Sequence, residues 1–120
     1  MQNFVYSGKT INAVASDPAT PASGDPVRVG TIVGVAVTKE GEGGNISTET
    51  TIETEGVFNL SVKAVNAGGN SAVVIGDKIY YVDADTPKLS KKVAGALFGK
   101  ALAAINAGDT ATIPVMLIQA

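Results

Sequence analysis

The chain has 120 residues, a formal net charge of −2, no cysteine and no histidine. Disulfides, thiolate metal sites and Ser-His or Cys-His nucleophilic systems are therefore excluded. The length fits one domain, 1–120, with one modest core, and at 45 % hydrophobic residues that core can be filled; oligomerisation is a common further source of stability for such chains.

The apolar residues are mainly Val, Ile and Ala, and Val, Ile and Thr are stiff at χ1 and favoured in strands. A first strand is expected over Asn3–Val14. The segment Ser16–Pro26 holds Pro18, Pro21 and Pro26 and reads as loop, because proline fixes φ and removes a donor. Val27–Thr38 reads as one strand buried on both faces, with Val33, Val35 and Val37 on one side and Ile32, Gly34 and Ala36 on the other. The glycine-rich tip Lys39–Asn45 follows. Asn45–Glu55 is polar, and Glu49, Thr51, Glu53 and Glu55 at period two suit a solvent-facing strand. In Val57–Val62 the residues Phe58, Leu60 and Val62 share a face, as in a half-buried strand. Strands are also expected at Ala72–Ile75 and Lys78–Val82, with a return from Lys88. Lys92–Leu102 reads as strand, although its Ala and Leu favour helix and Gly95 and Gly99 oppose it. One helical turn is allowed near Ala103–Asn106. The last strand is Ala111–Ile118, where Pro114 implies an edge, a strand start or a bulge.

The dipeptide Gly-Asp precedes a strand three times, at Gly24-Asp25, Gly76-Asp77 and Gly108-Asp109. Gly supplies the left-handed conformation of a turn and Asp bonds nearby backbone. Short strands punctuated this way predict an all-β fold, a small β-barrel or sandwich, with at most one short helical turn in the C-terminal third.

No chemistry-bearing pattern survives inspection. Asp83 and Asp85 are spaced as in a calcium loop, but the rest of that loop is missing, so they read as turn residues. Glu49, Glu53 and Glu55 read as a solvated face and not as a glycosidase pair. Gly95–Lys100 resembles a phosphate loop with one residue too few between its glycines, and Ala101 follows where Ser or Thr is needed. No catalytic, cofactor or metal residue is expected. With one arginine, 5 % aromatics and no tryptophan, nucleic-acid binding is not expected, and neither is stacking on bases or sugars. Lys88, Lys91 and Lys92 are the nearest thing to a basic cluster and read as a solvated loop or strand end. Met1–Val5 lacks the pattern of a signal peptide, and the apolar-rich stretch Val93–Ile105 is too short for a bilayer, so no membrane role is expected. Synthesis and retention in a cytoplasm, or in something assembled there, is the expectation.

The order of features along nearly the whole chain resembles a family of small tailed-phage proteins, the head decoration or cement proteins. The resemblance runs from Asn3-Phe4-Val5 and Gly8, through Ser23–Val27, Val29-Gly30 and Gly34–Ala36, to Gly56–Leu60. It continues with Ile75–Tyr81 and ends with an Ala/Gly-rich strand, Gly108-Asp109-Thr110 and an apolar last strand. Lys63–Ser71 and Gly95–Ala104 depart from it in composition. It implies a compact β-rich fold, made in a bacterial host cytoplasm (from a phage or prophage), that attaches to the major capsid protein on the capsid exterior and stabilises the shell. It also implies a homo-oligomer, a trimer by preference, and no cofactor. Some members carry a recombinase label, which nothing in this sequence supports. The expected capsid contacts are Asn3, Phe4 and Val5 in the N-terminal segment, with Pro18 and Pro21 in the proline-rich loop. The alternatives are a fibre or tail-tip module and, less favoured, a small nucleic-acid or carbohydrate-binding barrel.

Overall fold

A computed structural model describes residues 10–18, 20–38 and 49–119. Eleven strands follow in chain order among them: β1 (Thr10–Ala13), β2 (Pro26–Val29), β3 (Ile32–Ala36), β4 (Thr50–Glu53), β5 (Val57–Lys63), β6 (Val65–Asn66), β7 (Gly69–Asn70), β8 (Lys78–Tyr81), β9 (Leu89–Ser90), β10 (Ala96–Ala101) and β11 (Thr110–Leu117). No helix occurs among the described residues, so the fold is all-β.

Two large sheets organise the chain, and β6 and β7 form a separate two-stranded antiparallel ribbon. Strands β10-β11-β5-β9-β8 close into a barrel, antiparallel except for the parallel pair β5-β9. Strands β1-β4-β3-β2 form an antiparallel sheet. That sheet is curled. Asp17, four residues beyond β1, pairs with Arg28 on the opposite edge. Four residues reach at most about 14 Å, whereas the slot beyond the far edge of a flat four-stranded sheet lies about 19 Å away. The curl encloses a small core of Val27, Ala36 and Ile52, with Ile11, Ala13 and Val29 packed against it.

The larger core fills the barrel with Leu60, Val62, Ile79, Tyr81, Leu89, Phe98, Ile113 and Val115. Val33 and Val35 of β3 belong to this core, while Ala36 belongs to the smaller one. Strand β3 is therefore the shared wall, buried on both faces from Val33 to Ala36. The end of the chain reinforces the join. The Gln119 side chain accepts from Val33 N at 3.1 Å and donates to Val33 O at 2.7 Å and Thr54 O at 2.8 Å.

Several expectations are corrected. Val27–Thr38 is not one strand but the β2–β3 hairpin, turned at Gly30-Thr31. Gly30 has φ +61°, which suits the first position of a two-residue hairpin loop. Ile32 and Val37, expected in the strand's buried faces, are 43 % and 45 % exposed. Ala72–Ile75 forms only a bridge, Val73 to Ile105, and that bridge occupies the place of the helical turn allowed at Ala103–Asn106. Pro114 sits inside β11. Its carbonyl accepts from Leu102 N, so its missing N–H faces the same side, where β10 has already ended. Proline cannot return the second bond of that pair, and the β10–β11 pairing ends at Ala101 and Val115.

Segment Lys92–Leu102, the contested stretch, contains strand β10 with one irregularity. Leu97 pairs with Tyr80 and Gly99 with Ile79, leaving Phe98 as an extra residue. The bulge turns Phe98 inward, fully buried, with its ring 6.1 Å from that of Tyr81. Gly99 lets β11 approach β10 closely beside the bulge, since a Cβ there would lie 2.2 Å from Met116 O. We expect Gly99→Ala to destabilise the fold by about 2 kcal/mol or more. Gly68→Ala, in an open loop, should shift stability by less than about 0.5 kcal/mol. Thermal or urea denaturation of the two variants checks the contrast.

Candidate functional site

The three Gly-Asp pairs build one device. Gly24, Gly76 and Gly108 have φ of +90°, +94° and +81°. In each case the Asp N–H closes a four-residue turn on a carbonyl three positions back, Ala22, Val74 and Asn106. Each turn then grips one alanine of a neighbouring segment. Gly24 N donates to Ala36 O, and Ala36 N to Asp25 O. Gly76 and Asp77 do the same with Ala101, and Gly108 and Asp109 with Ala64. Two residues opposite one is the bulge that follows such a turn. Asp25 and Asp77 also accept from the backbone N–H of Ala22 and Val74, each at 2.9 Å.

The barrel and the curled sheet meet at a polar junction. The Tyr81 ring lies in the barrel core, and its hydroxyl donates to Asp17 Oδ2 at 2.5 Å. Lys88 Nζ holds the same carboxylate oxygen at 2.9 Å and donates to Asp83 O at 2.8 Å. Arg28 grips Asp83 with two bonds, Nε to Oδ1 at 3.0 Å and Nη2 to Oδ2 at 2.7 Å. Asp17 and Arg28 belong to the curled sheet side, and Tyr81, Asp83 and Lys88 to the barrel side. Beside this network a cleft of about 230 Å³ is lined by Pro18, Asp25, Pro26, Ser61, Pro87 and Lys88. Peptide bonds Asp17-Pro18 and Thr86-Pro87 are cis.

Burial and the Asp17 carboxylate raise the Tyr81 hydroxyl far above its ordinary pKa, so it stays a donor. The two bonds from Arg28 hold the Asp83 carboxyl below its ordinary value. The Val74 N–H, and then Lys91 at 3.2 Å, do the same for Asp77.

The sequence-derived candidates fall in different places. Asn3, Phe4 and Val5 lie outside the described residues. Pro18 is half-buried and lines the junction cleft, whereas Pro21, on the same loop, is fully buried. The three lysines form no open basic patch: Lys88, Lys91 and Lys92 hold Asp17, Asp77 and Asp85. Asp83 and Asp85 are engaged by Arg28 and Lys92. Glu53 accepts from Thr10 Oγ1 at 2.9 Å and Glu55 is exposed. Gly95–Lys100 leads into and forms strand, not a loop before a helix. Among the described residues no group of His, Cys, Asp and Glu is placed to hold a metal, and no helix is long and apolar enough to cross a membrane. The Asp17–Tyr81–Lys88 group had no local sequence signal, because Asp17 and Tyr81 are 64 positions apart.

Residues 5–117 match the family model of the phage cement proteins. The chain belongs to the phage cement protein family. No curated protein and no solved structure matches it. Membership gives this cement protein a structural, capsid-associated role. The geometry above agrees with that: Asp25 and Asp77 fasten turns, and Asp17, Arg28, Tyr81, Asp83 and Lys88 join the two sheets.

The junction carboxylate Asp83 and the turn carboxylate Asp77 make the stability depend on pH. Asp77 and Asp83 bind protons less readily folded than unfolded. Their stabilisation is complete above the unfolded carboxylate value of about 3.9 and is lost as pH falls through their lower folded values. Asp83 is 47 % exposed, so its share is screened to less than about 1 kcal/mol. Denaturation midpoints of the unsubstituted protein and Asp83→Asn should differ slightly at pH 7 and converge once the pH is below that range.

Proposed function

We propose that this cement protein acts as a single domain that binds the outer surface of a tailed-phage capsid, contacts the major capsid protein and stabilises the shell without catalysis. Membership of the cement family over residues 5–117 carries this reading. The physical logic supports it. Packaged DNA presses outward, and a protein bridging neighbouring subunits adds binding free energy that must be lost before they part. Many copies make a modest interface sufficient. We also propose that it works as a homotrimer, is made in the bacterial host cytoplasm and ends on the virion exterior.

The contact is proposed at the N-terminal segment with Asn3, Phe4 and Val5, and at the loop carrying Pro18 and Pro21. Buried Pro21 would act by shaping that loop, and half-exposed Pro18 by touching the partner. Co-sedimentation with expanded capsid shells lacking the protein tests the reading. Saturable binding that raises the shell's resistance to heat is expected; shells that neither bind it nor gain resistance would contradict it. Deleting Met1–Val5 should weaken attachment while circular dichroism shows the fold unchanged.

A further inference from the structure

The outside of the barrel carries a row of side chains that one copy leaves unsatisfied. Register sets Lys78 opposite Lys100, Lys100 opposite Met116, and Met116 opposite Val57, across β8, β10, β11 and β5. Their chain neighbours Ile79, Ala101, Val115 and Leu117 point into the barrel, so the row points out. Met116 is 39 % and Val57 53 % exposed.

Like charges directly opposite one another in a sheet repel. Arg28, Lys88, Lys91 and Lys92 each hold a carboxylate. Lys63, Lys78 and Lys100 hold none among the described residues, and of these Lys78 and Lys100 face each other. At the other end, Leu117 N donates to Gly56 O, where the chain turns at φ +120°, and Glu55, two residues from Val57, starts within about 7 Å of it. Glu55 is exposed and also holds no ion pair among the described residues. The face therefore runs from two bases, over two exposed apolar residues, to an acid.

Such a face is complementary to a copy of itself. A cyclic arrangement whose axis crosses the row at right angles over the apolar centre sets the basic flank of one copy against the acidic flank of the next. We propose that this face is where copies of this chain meet, with Lys78 and Lys100 of one copy against Glu55 of its neighbour and Met116 and Val57 buried around the axis. This rests on the self-association proposed above and names its surface. An apolar centre supplies burial, while the opposed flanks select register and partner.

The test is the stoichiometry of the full chain by sedimentation velocity, with circular dichroism to verify folding. Lys100→Glu and Lys78→Glu should each weaken self-association about tenfold or more. Lys100→Glu with Glu55→Lys should restore it, and Lys63→Glu, on an exposed lysine away from the row, should leave it unchanged. A monomeric unsubstituted protein would overturn both the self-association and its surface. Normal self-association of folded Lys100→Glu and Lys78→Glu would overturn the surface alone. Unchanged stoichiometry with lost capsid-shell binding would give the row to the capsid and overturn the proposal.

Discussion

Tyr81 is the residue on which the arrangement of the two sheets depends. Its ring packs on Phe98 inside the barrel while its hydroxyl reaches Asp17, on the chain that closes the curled sheet. A bond to a carboxylate contributes more than one between neutral groups, and a buried hydroxyl left without it pays a desolvation cost. Lys88 holds the same carboxylate oxygen, so the bond is part of a network and not a single contact. The apolar side of the join is β3, whose valines belong to the barrel core and whose Ala36 belongs to the smaller one. Gln119 adds a bidentate clasp on Val33. Polar and apolar links thus tie the two sheets at different points.

How much of this was legible follows from the range of each interaction. Alternation in Val57–Val62 exposed a half-buried strand because Leu60 and Val62 sit at period two and are both buried. The Gly-Asp pairs stood out because a positive φ and a short acceptor are local demands, and the structure places all three at tight turns. What was not visible is that each turn also grips an alanine of another segment, since Ala36, Ala64 and Ala101 have no distinguishing side chain. Gly30 was overlooked because the valines around it fit a continuous strand equally well, and only pairing partners decide between strand and hairpin. The polar junction was invisible for the same reason at longer range: Asp17, Arg28, Tyr81, Asp83 and Lys88 become neighbours only after both sheets form. The bulge at Phe98 reconciles the glycines of β10 with strand, because Gly99 is the place where a side chain would strike Met116 O.

A structural role makes mechanical sense of where the polar groups went. Described lysines beside acids are consumed within the chain, and turns are fastened to strands instead of projecting freely. In the role proposed above, a load on one part must reach another without the molecule opening. We expect the curled sheet to loosen before the barrel, because five paired strands close the barrel whereas only the Asp17–Arg28 bridge, beside the Tyr81 junction, closes the curled sheet.

Native-state hydrogen exchange on Tyr81→Phe tests that claim most directly. Removing the hydroxyl should cost about 1–3 kcal/mol and should speed exchange in the curled sheet, at Ala36 and Val37, while Val62, Ile79 and Val115 in the barrel keep their protection. Equal acceleration throughout, or no acceleration in the curled sheet, would contradict a fold whose two sheets are held together at Tyr81.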